Sequence, residues 1–227
     1  MNYLYLLLNI GSIAVPFIFS FHPRLQFYKH WKSFGLAILI TAVIYISWDI
    51  VFTINGVWGF NETYLIGVDL LNLPIEEWLF FLCIPYACIF THYSLIKCFP
   101  KFGLNKATTK LIASILIIVF FLLAVFNLER SYTVINFGLA ALVLLLVLYS
   151  DIKLLQQYFL SYLVIFIPFL IVNGILTGSF IENEVVWYNN LENLGIRLFT
   201  IPIEDSAYAF SLLLIPLYLM KRIDRNQ

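Results

Sequence analysis

Long hydrophobic runs separated by short polar segments dominate this chain of 227 residues. An α-helix needs about 20 consecutive apolar residues to cross about 30 Å of hydrocarbon, because each residue adds about 1.5 Å. Runs of that length predict seven transmembrane helices, over 3–20, 34–54, 75–96, 109–127, 132–149, 157–177 and 200–220. The pattern therefore predicts an all-α polytopic membrane protein.

Composition supports this fold class. Hydrophobic residues make up 62% of the chain, charged residues only 11%, and the mean hydropathy is +0.93. A soluble domain of this size needs far more ionic surface, so a water-soluble enzyme is excluded. Membrane lipids are expected partners, and nucleic acid is not.

Basic residues are distributed unevenly between the two ends of the predicted helices. If seven helices alternate in direction, eleven of the 13 Lys and Arg residues lie at one end: Arg24, Lys29, Lys32, Lys97, Lys101, Lys106, Lys110, Lys153, Lys221, Arg222 and Arg225. Only Arg130 and Arg197 lie at the other. The positive-inside tendency then predicts an N-terminus outside and a C-terminus in the cytoplasm.

A short acidic motif occurs twice. Pro-Ile-Glu-Glu at 74–77 returns as Pro-Ile-Glu-Asp at 202–205, an offset of 128 residues, each time where a hydrophobic run begins. Gly67 and Gly195 share that offset. Shared hydrophobicity alone does not place proline, acid and glycine at matching spacings, so the motif indicates an internal duplication.

The duplication predicts three segments: a first three-helix repeat over 1–99, a linking helix over 100–130, and a second three-helix repeat over 131–227. Two three-helix units joined directly would have opposite orientations in the membrane. The extra helix removes that inversion, so two parallel repeats are expected, with both acidic motifs at the same end.

Carboxylates at the start of membrane helices are costly unless they have a partner or a function. The candidate catalytic residues are therefore Glu76, Glu77, Glu204 and Asp205, with Asp49 inside the second helix. Two alternatives stay open. The motif can serve only as a helix start, since proline suits the first turn and acids favour the positive end of the helix dipole. Asp49 can be a polar residue that pairs helices.

Aromatic and amide side chains complete the candidate site. Segment 48–53 aligns with 172–177 at an offset of 124, which places Asn173 opposite Asp49, and Trp58 aligns with Trp187 across a one-residue gap. Although many aromatic residues of the outer connections suit interfacial anchoring, aromatic faces near acids can also stabilise a cation. The candidate substrate-binding residues are Trp48, Trp58, Trp78, Asn173 and Trp187.

The residue types indicate one kind of chemistry. Burial of a close carboxyl pair favours retention of a proton, so one member can act as an acid. The proton-initiated rearrangement of a polyene requires such an acid, together with a base, aromatic walls and access from lipid. No histidine cluster accompanies the acids, so no metal site is expected. No Gly-rich phosphate loop follows a strand, so no Rossmann-type flavin or nicotinamide domain is expected. No cofactor is predicted, and a non-redox cofactor requirement stays open.

These motifs resemble those of a known family. Pro-Ile-Glu-Glu followed by Trp-Leu-Phe-Phe, the later Pro-Ile-Glu-Asp, and the Trp-Asp pair at 48–49 resemble the membrane-integral lycopene cyclase domain family in its fused two-repeat form. The resemblance implies cyclisation of the linear ψ ends of lycopene to β-ionone rings without net redox change. It makes lycopene from the lipid phase the expected substrate and leaves association with other carotenoid-pathway enzymes open.

Several alternatives remain at this point. Relatives that form ε rings or act on C50 carotenoids use similar motifs, so ring type and substrate length stay open. Which carboxyl is the acid is also undecided, since close carboxyls titrate as a coupled pair. The alternative from another class is a proton-coupled membrane transporter, or a lipid- or carotenoid-binding membrane protein.

Overall fold

The computed structural model describes residues 3–225, and within that range helices form most of the chain. The helices are α1 (Leu4–Phe19), α2 (Trp31–Ile54), α3 (Ile75–Cys98), α4 (Lys106–Val125), α5 (Ser131–Ser150), α6 (Ile152–Leu176) and α7 (Glu204–Arg225). Among these described helices, six are long and apolar enough to cross a membrane, and α1 is an apolar helix of 16 residues. The prediction of an all-α polytopic membrane protein is confirmed.

Short strands occupy the connections at the end of the bundle where α3 and α7 begin, here called the carboxylate end. They are β1 (Trp58–Phe60), β2 (Asp69–Leu70), β3 (Leu73–Pro74), β4 (Val186–Tyr188), β5 (Arg197–Leu198) and β6 (Ile201–Pro202). Hydrophobic periodicity did not predict them, because strands of two or three residues are too short to show an alternating pattern. They form three antiparallel pairs, β1–β4, β2–β3 and β5–β6.

The helices of the two repeats are interleaved. Within each repeat the first helix packs on the third, α1 on α3 and α5 on α7. Between repeats, α2 packs along α7 and α6 along α3, while α4 packs against α5 and α6. Helices α3 and α7 also contact one another. The beginnings of α3 and α7 are therefore brought together at the centre of the bundle.

A ribbon of two strands joins the repeats above this centre. Strand β1 pairs with β4 through Trp58–Tyr188, Gly59–Trp187 and Phe60–Val186. Side chains of a strand alternate between its two faces, so one face of the ribbon points into the bundle and the other away from it. The ribbon closes the carboxylate end over the starts of α3 and α7.

The opposite end of the bundle is held by a hydrophobic core. Phe27, Phe34, Tyr86, Tyr158 and Phe210 are among its buried rings. Packing of this kind leaves little freedom for the helices to shift. The polar residues at the carboxylate end therefore lie on a rigid frame.

Candidate functional site

Each acidic motif lies where a short β-hairpin, with strands of two residues, ends and a helix begins. The β2–β3 hairpin ends at Pro74, whose extended backbone (φ −62°, ψ 145°) precedes α3. Proline has no N–H to donate, and a helix start does not require one. The β5–β6 hairpin repeats the arrangement before α7. The two hairpins thus determine where the acidic pairs enter their helices.

The two acids of each motif have different surroundings, because neighbouring helix residues point about 100° apart. Glu76 accepts the backbone N–H of Ile66 at 2.7 Å, and Glu204 accepts that of Leu194 at 2.7 Å. Both glutamates are fully buried. The repeated glycine after each donor has a φ of +79° or +69°, a region that suits glycine. Glu76 and Glu204 therefore anchor the loops that lead into the hairpins.

The second acid of each motif faces a shared cavity of about 50 Å³. Glu77 and Asp205 line this cavity, here called the carboxyl cavity, and both are buried. The hydroxyl of Tyr5 donates to Glu77 at 2.5 Å, and the hydroxyl of Tyr132 donates to Asp205. Equivalent tyrosines on α1 and α5 therefore support equivalent acids on α3 and α7.

Asp49 joins the first of these acids. Its carboxylate accepts the indole N–H of Trp58 at 2.7 Å and lies beside the carboxyl group of Glu77. Two neighbouring carboxyl groups that are both buried disfavour double ionisation. The Asp49–Glu77 pair is therefore suited to hold a proton.

Asp205 has different partners. Besides Tyr132, it accepts the side-chain amide of Asn173 at 2.7 Å and the hydroxyl of Tyr188 at 3.1 Å. Burial and the nearby Asp205 carboxylate hold the pKa of Tyr188 well above its ordinary value, so this hydroxyl remains a donor. Hydrogen bonds to a charged carboxylate stabilise that form. Asp205 is therefore surrounded by hydrogen-bond donors, whereas Glu77 lies beside a second carboxyl group.

Aromatic side chains form most of the cavity wall. The rings that line it belong to Tyr5, Trp58, Phe60, Phe80, Tyr132, Phe169, Tyr188 and Tyr208. Ring faces attract cations through their quadrupole, most strongly where water is excluded. The cavity thus combines two unlike carboxyl environments with a lining suited to a transient positive charge.

The five predicted substrate-binding residues separate into two groups. Trp58 and Asn173 line the carboxyl cavity. Trp187 lies on the outer face of the ribbon, packed over Gly59, because it is one residue out of phase with Tyr188. Its side chain is half-exposed, and it borders a polar cleft rather than the carboxyl cavity.

The remaining two tryptophans also lie outside the cavity lining. The indole N–H of Trp78 donates to the carbonyl of Leu70 at 3.1 Å, and Trp78 borders a groove between α2 and α3. Trp48 packs against Tyr208, with ring centroids 5.6 Å apart, behind the cavity wall. The substrate-binding roles of Trp48, Trp78 and Trp187 stay predictions, and the structure does not bring them to the carboxyls.

Sequence reasoning missed the tyrosines. Tyr5 and Asn9 recur as Tyr132 and Asn136, with the same spacing of four, at an offset of 127 residues. Asn9 donates to the carbonyl of Glu76 at 2.8 Å, and Asn136 to that of Glu204 at 2.6 Å. The repeated tyrosine–asparagine pair could have indicated, from the sequence alone, that α1 and α5 contact the acidic motifs.

The fold is that of a polytopic membrane protein built from two repeats. Its polar site, a group of buried carboxyls, lies at one end of the helical bundle. The sequence profile of the lycopene cyclase family matches residues 2–95 and again 129–223. These two matches span most of the chain, so the protein belongs to the lycopene cyclase family and is a carotenoid cyclase. The segment between them contains α4, the extra helix. The predicted family and the internal repeat are confirmed.

Comparisons with curated proteins and with solved structures find no match for the chain. Within residues 3–225 no group of three or more His, Cys, Asp or Glu side chains is arranged to hold a metal ion. The expectations that neither a metal nor a cofactor takes part remain predictions.

Proposed function

We propose that this protein is a lycopene β-cyclase that closes the linear ψ ends of lycopene into β-ionone rings by acid–base catalysis. The observation that supports the proposal most directly is the pairing of two unlike carboxyl environments in one aromatic cavity. Glu77 lies beside a second carboxyl group, that of Asp49, whereas Asp205 accepts three hydrogen bonds. Environments that differ in this way separate an acid from a base.

The reaction begins at the Asp49–Glu77 pair. Transfer of its proton to C2 of the terminal double bond leaves a cation at C1, and the electrons of the C5=C6 bond then form the C1–C6 bond. Positive charge moves to C5 within reach of the aromatic wall. A buried acid is effective here because the surrounding rings exclude water, which would otherwise trap the cation.

Asp205 completes the reaction by taking the proton from C6, which forms the C5=C6 double bond of the β ring. One proton enters at C2 and one leaves at C6, so the product is an isomer of the substrate and no electron carrier is consumed. Proton exchange with water then restores the acid and the base. Asn173, Tyr132 and Tyr188 hold Asp205 in position through their hydrogen bonds.

The organisation predicted from the sequence forms part of this proposal. The repeats over 1–99 and 131–227, joined by 100–130, both supply the carboxyl cavity, since α3 brings Glu77 and α7 brings Asp205. The carboxylate end is placed outside and the C-terminus in the cytoplasm, in agreement with the eleven-to-two division of basic residues. Lycopene is the substrate partner and enters from the lipid phase.

Expression in lycopene-accumulating cells tests the activity. We expect the wild-type protein to convert lycopene to γ-carotene and β-carotene, and conversion in deuterated water to place one deuterium at C2 of each ring. Unchanged lycopene would instead favour a transporter or carotenoid-binding protein. An ε-ring product would preserve the acid–base mechanism but overturn the β-ring assignment.

Variants of the two central acids test the site. Loss of general acid–base catalysis costs about 10²–10⁴-fold in rate, so Glu77→Gln and Asp205→Asn should leave lycopene largely unconverted. Asp69→Asn is the matched control, because Asp69 is an exposed carboxylate of strand β2 at the same end of the protein. Full activity in Glu77→Gln and Asp205→Asn would remove both residues from the mechanism.

A further inference from the structure

An apolar groove leads to the carboxyl cavity from one side of the bundle. It lies between α1, α3 and α6 and has a volume of about 350 Å³. Phe80, Phe169 and Asn173 line both the groove and the carboxyl cavity, so the two spaces adjoin. This space is here called the open groove.

The open groove is long and almost entirely hydrocarbon in character. On α1 it runs from Leu7 to Pro16, about 14 Å at about 1.5 Å per residue. The few polar groups along it include Ser12 and Thr91, whose hydroxyls donate to carbonyls of their own helices at 2.7 and 2.8 Å. Its surface therefore suits an extended apolar chain with no polar group to satisfy.

The internal repeat predicts a second groove at the equivalent place, between α5, α7 and α2. Three aromatic side chains occupy part of that place instead. The offsets of 128 and 124 residues put Tyr208 where Phe80 stands in the first repeat, and Trp48 where Val172 stands in the second. Tyr45 occupies the position of Phe169.

These three side chains pack together closely. The ring centroid of Tyr45 lies 4.7 Å from that of Trp48 and 5.0 Å from that of Tyr208. The hydroxyl of Tyr45, which is fully buried, shares a hydrogen bond of 2.7 Å with Ser211. The aromatic plug formed by Tyr45, Trp48 and Tyr208 replaces the second groove.

We propose that the linear end of a carotenoid reaches the carboxyl cavity through the open groove alone, so that the protein cyclises one end in each visit and releases a monocyclic product into the lipid. The inference rests on the proposed function and adds a route and an order of events. An extended polyene is too long and stiff to present both ends to one small cavity. With the equivalent side plugged, the second end enters only after the first has left.

Gly11 offers a direct test of the route. It lines the open groove, and a Cβ added there meets no atom within 4 Å, so a larger side chain extends into open space without displacing its neighbours. Gly138 is the matched control, because it occupies the equivalent position on α5 and also has no atom within 4 Å of an added Cβ. Both glycines lie within helices, where larger residues are tolerated.

Conversion of lycopene should fall along the series Gly11→Ala, Gly11→Leu and Gly11→Phe, by about 10²-fold for the last, as expected when the reacting group is displaced. Gly138→Phe should retain wild-type conversion, with both proteins present in the membrane at equal amounts. Equal effects of Gly11→Phe and Gly138→Phe, or no effect of either, would overturn the route.

A photo-crosslinking amino acid at position 11 measures occupancy without relying on turnover. In vesicles that contain lycopene we expect adducts with the mass of lycopene at position 11 and not at 138. Adducts with lipid acyl chains only would overturn the proposed occupant. If the protein with the crosslinker at position 11 gives lycopene adducts but the wild-type protein gives no cyclised product, the groove assignment stands and the proposed function fails.

The order of events has its own measurement. With excess lycopene in vesicles, free monocyclic product should appear first, and bicyclic product should follow only as lycopene is depleted. Bicyclic product formed from the outset, without free monocyclic carotenoid, would overturn the one-end-per-visit inference.

Discussion

The side-chain amide of Asn173 donates a hydrogen bond to Asp205 at 2.7 Å, at the position where the other repeat places Asp49 beside Glu77. In the first repeat, two carboxyl groups therefore lie side by side, and in the second an amide lies beside a carboxylate. Duplication supplied two equivalent frames, and this difference gives their acids unlike partners.

Replacing the amide by an acid should abolish that difference. In Asn173→Asp the new carboxyl and Asp205 must share a proton, which makes Asp205 a poorer acceptor of the proton that leaves the substrate. We expect lycopene conversion to fall by about 10²–10⁴-fold. Asn55→Asp, an exposed change at the same end of the bundle, is the control and should convert lycopene normally. Carotenoid extracts from cells expressing each variant give the comparison.

Glu76 and Glu204 should behave differently from their neighbours. Glu76→Ala leaves the N–H of Ile66 without its acceptor, which costs about 1–2 kcal/mol, whereas Glu76→Gln retains an oxygen that can accept it. Thermal unfolding in detergent should show a lower midpoint for the alanine variant and a nearly unchanged one for the glutamine variant. The same contrast is expected at Glu204.

Turnover distinguishes an anchoring role from a chemical one. Glu76→Gln and Glu204→Gln should still convert lycopene, since the oxygen that binds the loop is preserved. If either glutamine variant is folded but inactive, that glutamate takes part in the chemistry, as the sequence motif alone first indicated.

Neither repeat should act alone. Helix α2 packs along α7, α6 packs along α3, and β1 pairs with β4, so each repeat completes the other. Segment 1–99 or segment 100–227 expressed singly should give no cyclised carotenoid, and the two together should restore part of the conversion. Activity from 1–99 by itself would show that Asp205 is dispensable.

The orientation in the membrane can be measured by cysteine labelling. After the three native cysteines are replaced, Glu62→Cys at the carboxylate end should react with an impermeant thiol reagent added outside, and Lys106→Cys at the opposite end should not. Both positions are exposed. Labelling of both from the same side would contradict the alternating seven-helix topology and the parity argument for α4.

Much of the architecture was determined by the sequence itself. The helices, the duplication and the acidic motifs at two helix starts follow from local properties, because a span depends on apolar length and a repeat on spacing. The observed bounds of α3, Ile75–Cys98, differ from the predicted 75–96 by two residues. Tyr5 and Tyr132 could also have been identified from the sequence, because each lies four residues before an asparagine, Asn9 or Asn136.

Tertiary structure decided which of these residues meet. Glu77 rather than Glu76 faces the cavity because helix rotation separates neighbours by about 100°, and Trp58 rather than Trp187 lines it because strand side chains alternate. The closed second groove depends on Tyr45, Trp48 and Tyr208, which come from two helices that only packing brings together. Composition and periodicity describe one segment at a time, whereas a cavity is a property of several segments in contact.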